Sequence, residues 1–213
     1  MQNKQWFTVL ELMVGIVVFT LGFLGAYMLV DSASSASIRS RDEIIGSNIM
    51  REQIELLKNL RDTNWIQFRS WDSLELAKSS AATYTKLEDG YYTLSNDFTP
   101  GKTIHIEKLS TVLDNKNSII AEFQKPNSTI KLCMDSLGLY VHDCTAPNKS
   151  INYASFLKIE PLITKNTSTN VLIPVEKESG KVWAYKVTVY FMSLTKWYRL
   201  TSMSTIITDW KNQ

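Results

Sequence analysis

The chain has 213 residues, enough for one globular domain and an additional segment. With 44% hydrophobic and 21% charged residues it has the composition of an ordinary folded protein, not of a disordered or low-complexity one. The formal charge of +2 is spread over dispersed Lys and Arg, and no basic run interleaved with aromatics points to a specific nucleic acid.

In chain order, a short polar start, Met1 to Trp6, precedes a long apolar run. Between Phe7 and Val30 the only side chain charged at neutral pH is Glu11, and Leu12–Val30 is 19 residues without a charge. As a helix rising ~1.5 Å per residue, that run reaches across nearly all of a ~30 Å hydrocarbon layer. Three readings fit unequally. A removable secretory signal has Lys4 as its positive region and Ser34-Ser35-Ala36 as a cleavage site. Such signals, however, have apolar cores of about 7–15 residues and no early carboxylate. A plain single-pass anchor explains the length. It leaves Glu11 at headgroup depth, or inside lipid at a cost on the order of 2.5–3.5 kcal/mol. In the third reading a protease cuts between Trp6 and Phe7. The new ammonium on Phe7 of one copy then neutralises Glu11 of a neighbour, so that two charges costly alone are tolerated as a pair. Such a pair would also set the axial stagger between copies.

Phe7-Thr-x-x-Glu11-Leu12 followed by a long apolar helix resembles the N-terminal segment of type IV prepilins and type II secretion pseudopilins. The resemblance implies a leader, residues 1–6, removed by a prepilin peptidase. Trp6 and Phe7 would flank the cut, with a methylated Phe7 as first mature residue and Glu11 as the fifth. It also implies that Phe7 and Glu11 mediate assembly. Trp6 stands where the family has Gly. The implied partners are other pilin or pseudopilin subunits, the prepilin peptidase, an inner-membrane assembly platform and the lipid bilayer. The implied location is the inner membrane, with the rest of the chain extracytoplasmic and reaching a pilus or the cell surface after assembly. Lys4 is the only cation before the span, while Arg39 and Arg41 follow it. This orientation therefore comes from the resemblance and not from the positive-inside count.

Beyond the span no proline occurs before Pro100. Ile38, Ile45, Ile49, Leu56 and Leu60 share one helical face, widened by Met50, Ile54 and Leu57. Arg51, Glu55, Lys58 and Asp62 fall opposite. The pattern predicts one helix from about Phe7 to about Arg61. Residues 7–30 form its membrane and assembly half, and 31–62 its amphipathic continuation. Gly15, Gly22 and Gly25 in the first half would allow close helix approach, or local unwinding when the subunit leaves the bilayer, or simply reflect ordinary membrane-helix composition. Arg51 to Trp65 followed by Trp71-Asp72 is similar to a stretch found after the anchor in a group of bacterial pilin-like proteins. Trp65, Phe68 and Trp71 are expected to cover the helix end.

Residues 63–213 read as a β-rich domain. Strands are expected from Tyr91, at Thr103–Leu109, Ser118–Phe123 and Thr129–Met134, and after a turn at Leu137-Gly138-Leu139 toward His142. Ala154–Ile159 follows, then Val182–Met192 and Trp197–Ile207 as a hairpin. The last two alternate in a way that predicts one buried and one wet face each. The fold class is α+β: a long N-terminal helix on a C-terminal antiparallel sheet.

Chemistry-bearing patterns are scarce. His105 and His142 are the only histidines, and no metal, phosphate-loop or nucleophile motif occurs. We therefore expect no catalytic residue, no metal and no cofactor, and a protein that is not an enzyme. Cys133 and Cys144 flank a Gly-containing turn. Outside the cytoplasm they read as a disulfide worth roughly 2–3 kcal/mol, with two separate thiols as the other reading. The rival to a filament subunit is an uncleaved, membrane-anchored extracytoplasmic binding domain.

Overall fold

A computed structural model describes residues 9–75, 84–95, 104–145, 147–165, 172–174, 182, 184–195 and 198–209. The first described element is α1 (Val9–Ile66), followed by β1 (Ser73–Glu75), β2 (Tyr84–Lys86), β3 (Gly90–Ser95) and β4 (His105–Lys108). After α2 (Lys116–Gln124) come β5 (Lys131–Met134), β6 (Tyr140–Val141) and β7 (Lys149–Pro161). The last strands are β8 (Ile163–Lys165), β9 (Leu172–Pro174), β10 (Ala184–Ser193) and β11 (Arg199–Thr208). This is the expected α+β order. The chain divides into two compact units, Met1–Ile45 and Gly46–Gln213.

In the second unit, an antiparallel sheet runs β11-β10-β7-β3-β4, with β5 also pairing β7 and β6 pairing β5. The 13-residue β7 organises it. One edge of β7 pairs with β10, from Tyr153↔Ser193 to Pro161↔Tyr185. Its other edge is shared. Ile159 and Leu157 face Gly90 and Tyr92 of β3, and Ala154, Ser150 and Lys149 face Lys131, Cys133 and Met134 of β5. A register shift between Lys131 and Cys133 bends β5 away.

The part of α1 within this unit covers one sheet face. Ile49, Met50, Ile54, Leu56 and Leu57 are buried, as their helical spacing predicts. Buried Gln53 donates from Nε2 to the Leu94 carbonyl of β3 at 2.7 Å. Gly46 lies against the Phe191 ring, where an added Cβ would come within 2.8 Å of Cε1 and 3.0 Å of Cγ. Only a residue without a side chain fits there.

The helix runs one turn beyond the expected Arg61. Phe68 N–H donates to the Trp65 carbonyl and Arg69 N–H to that of Asn64, at 3.0 and 2.8 Å. With Phe68 at φ +57°, these bonds make a left-handed helix cap of the kind usually built on Gly. That backbone turns Phe68 outward, leaving it 94% exposed. Of the three aromatics expected to cover the helix end, Phe68 does not; Trp71 is buried against Tyr185 and Trp65 is half-buried. Buried Asn64 fastens the following turn by donating from Nδ2 to the Ser73 carbonyl at 2.7 Å.

Two further expectations are corrected. Ser118–Phe123 is helical, within α2. Asn115 caps it by accepting from Ser118 N–H at 2.9 Å, while Ser118 Oγ accepts in return from Asn115 N–H. This capping box, with Ile119 and Phe123 four residues apart, outweighs the β-branched Ile119-Ile120 pair. Ile119 and Phe123 then close the second sheet face over Ala154, Phe156, Tyr91 and Met192. For the same reason β10 has no wet face. Flanked by β7 and β11 and roofed on both sides, it exposes only Lys186. At the sheet's edge β11 does alternate, with its even-numbered residues from Leu200 to Ile206 exposed. The Ala154–Ile159 strand extends at both ends, to Lys149 and Pro161.

Candidate functional site

In Met1–Ile45 the described part is one uninterrupted helix, and every side chain from Val9 to Val30 is exposed. The helix is long and apolar enough to cross a membrane. A continuous apolar surface of this size marks a membrane or a protein-interaction site. Thr20, the one hydroxyl between Leu12 and Val30 besides Tyr27, donates from Oγ1 to the Val17 carbonyl at 2.9 Å. Its polar group is thereby satisfied within the helix, as a lipid environment demands. Phe19 and Phe23 stack one turn apart, their ring centroids 6.4 Å from each other.

Glu11 is in the first turn, where the positive end of the helix dipole favours a carboxylate. Trp6 and Phe7 lie outside the described residues. At about 100° per residue, Gly15, Gly22, Gly25 and Ala26 fall on the face that Glu11 occupies. A Cβ added to Gly15 or Gly22 would meet nothing within 4 Å. The face thus joins one acid to small residues, interrupted by the exposed Val18 and Leu29, and small residues are where another helix backbone can approach closely. The spacing was present in the sequence but becomes a face only once the helix is continuous through it.

In the second unit, Cys133 and Cys144 are joined in a disulfide. It closes the β5–β6 hairpin, whose turn is made by Gly138 at φ +81° and by Asp135, which accepts from the N–H groups of Leu137 and Leu139, each at 2.8 Å. Cys133 is fully buried at the sheet and Cys144 is exposed, so the bond ties a surface loop to the core. His142 lines a cleft with Glu52, Gln53, Ser95 and Tyr140. Its open space is about 10 Å³, room for one water and far from the roughly 300 Å³ of a small-ligand pocket. Burial pushes the Glu52 carboxyl up. His105 is on β4, and its side chain is outside the described residues.

On the opposite sheet face, burial pushes the Tyr91 hydroxyl up to about 12, and its hydrogen bond to Asp114 adds to the shift. Lys158 Nζ is 5.6 Å from the Tyr91 ring centroid and 2.9 Å from the Glu160 carboxylate. Among the described residues no group of three or more His, Cys, Asp or Glu could hold a metal ion. No family model, curated protein or solved structure matches the chain.

Proposed function

We propose that the chain is a minor pilin or pseudopilin, a structural subunit of a type IV pilus or type II secretion-like filament assembled through its N-terminal helix. The observation that carries this reading is Glu11 in the first turn of α1, the single charged side chain in the apolar stretch of that helix from Val9 to Val30. Cleavage before Phe7 places an ammonium one turn ahead of that carboxylate. Stacking copies brings the ammonium of one to the Glu11 of the next inside a dry bundle, where the pair offsets the cost of burying either charge. Gly15, Gly22 and Ala26 on the Glu11 face support the reading, because small residues let packed helices approach. The fold order, helix then antiparallel sheet, is the architecture such subunits use.

The partners are other subunits of the filament, a prepilin peptidase, an inner-membrane assembly platform and the bilayer, with the sheet domain extracytoplasmic. Replacing Glu11 with Ala or Leu leaves membrane insertion intact and blocks incorporation into filaments, read by fractionating membranes and sheared fibres. Unchanged incorporation overturns the mechanism.

One observation favours a second reading. Trp6 stands where the family has Gly, which suits an uncleaved, membrane-anchored extracytoplasmic binding domain. Intact mass of the native protein separates the two: a chain beginning at Phe7 supports the filament subunit, and one retaining Met1–Trp6 the anchor.

A further inference from the structure

β11 is the terminal strand of the sheet, paired on one side with β10. Leu194 N–H donates to the Asn152 carbonyl and Leu162 N–H to that of Ala184. The even-numbered positions of β10 therefore bond to β7. Hydrogen-bonded positions alternate along an antiparallel strand, so the odd positions of β10 bond to β11. Their partners there are Thr201, Met203, Thr205 and Ile207, opposite Phe191, Val189, Val187 and Tyr185. It follows that Leu200, Ser202, Ser204 and Ile206 turn their backbone N–H and C=O groups to the outer edge. Among the described residues no strand pairs with that edge.

Natural sheets blunt such edges with proline, lysine, bulges or short strands. This one runs ten residues in regular register with β10, and between Arg199 and Asp209 it carries neither charge nor proline. Its sequence, Leu200-Thr-Ser-Met203-Ser-Thr-Ile206, reads nearly the same in both directions about Met203. The geometry points to a two-fold, antiparallel pairing of β11 with β11 of a second copy, centred on Met203, which joins the two sheets into one.

In that register Leu200 meets Ile206, Thr201 meets Thr205, Ser202 meets Ser204 and Met203 meets its own counterpart. Each residue finds its own chemistry, as an isologous interface requires. Apolar pairs and paired hydroxyls are both favourable cross-strand neighbours. The side chains of Leu200 and Ile206, 36% and 58% exposed, would form a continuous strip on the wet face. An edge contact buries less than the about 1,200 Å² of a standard interface. It is therefore weak between free molecules and strong where a shared bilayer holds copies together and raises their effective concentration. The inference does not depend on filament assembly.

The test uses the full chain in detergent and in lipid vesicles. The two native cysteines are bonded to each other, so an introduced one is the only thiol. Met203→Cys places two thiols at a non-hydrogen-bonded pair about 4.5 Å apart between Cα atoms, within disulfide range. Mild oxidation is expected to give a species of twice the 24.3 kDa monomer mass. Thr201→Cys faces position 205 of its partner, about 13 Å from the other thiol, and should stay monomeric. Adding Ser202→Pro to Met203→Cys removes an edge N–H that β10 does not use, and should abolish the cross-link with the circular dichroism unchanged. A Met203→Cys protein that stays monomeric overturns the proposal and leaves the edge to a strand of another protein. Equal cross-linking through Thr201→Cys overturns it too, since chance collision then explains both. The Thr201 control needs no proline, so the register is tested even if the proline variant unfolds.

Discussion

Leu24 and Leu57 are the same residue in the same helix, yet Leu24 is 52% exposed and Leu57 only 3%. Around Leu57 the chain supplies its own partner, since α1 from Gly46 onward lies on a sheet that buries its apolar stripe. Around Leu24 the apolar residues go all the way round the helix. A helix hydrophobic on every side needs a solvent that is itself apolar, lipid or other helices. One secondary structure thus serves two purposes. The second half holds a fold together, and the first is surface left for something outside the chain.

The largest effect that could break this comparison is a cavity. Leu57→Ala should cost the sheet unit about 2–5 kcal/mol, whereas Leu24→Ala should leave its urea midpoint unchanged. If both substitutions moved the midpoint alike, the first half of α1 would be part of the folded core. Next come the glycines. Gly46→Ala drives a methyl into the buried Phe191 ring and should destabilise by about 1–3 kcal/mol. Gly22→Ala meets open space, and the same melt should not register it. The smallest effect has the opposite sign. Phe68→Gly relieves a left-handed residue at the helix end and should stabilise by about 1 kcal/mol, raising Tm by roughly 2–4 °C. A fall in Tm would mean that the exposed ring makes a contact worth more than its backbone strain.

Much of this was legible without coordinates. The periodicity of Ile49, Met50, Ile54, Leu56 and Leu57 gave the buried helix face, and the Gly138 turn placed the two cysteines on one hairpin. Three features were not. Ser118–Phe123 has β-branched residues and no long apolar period, and its helix depends on a cap formed with Asn115 outside the segment. Phe68 looked like a residue to be buried. Its exposure follows from a backbone conformation that nothing in the side chain announces. β10 and β11 carry similar alternating sequences, and only their places in the sheet make one central and the other an edge.

Local order, by itself, determined the elements with strong periods: the charge-free run Leu12–Val30 in α1, the stripe on the later part of that helix, the turns marked by Gly and Asp, and Glu11 among apolar neighbours. Those are properties of residues a few positions apart, and spacing alone records them. Tertiary structure decided which strand faces were dry, which glycine was sterically required, and which backbone groups were left at an open edge. Each of those depends on what arrives from far along the chain: α1 over Phe191, α2 over Met192, and β7 on the far side of β10, while among the described residues no strand arrives beyond β11.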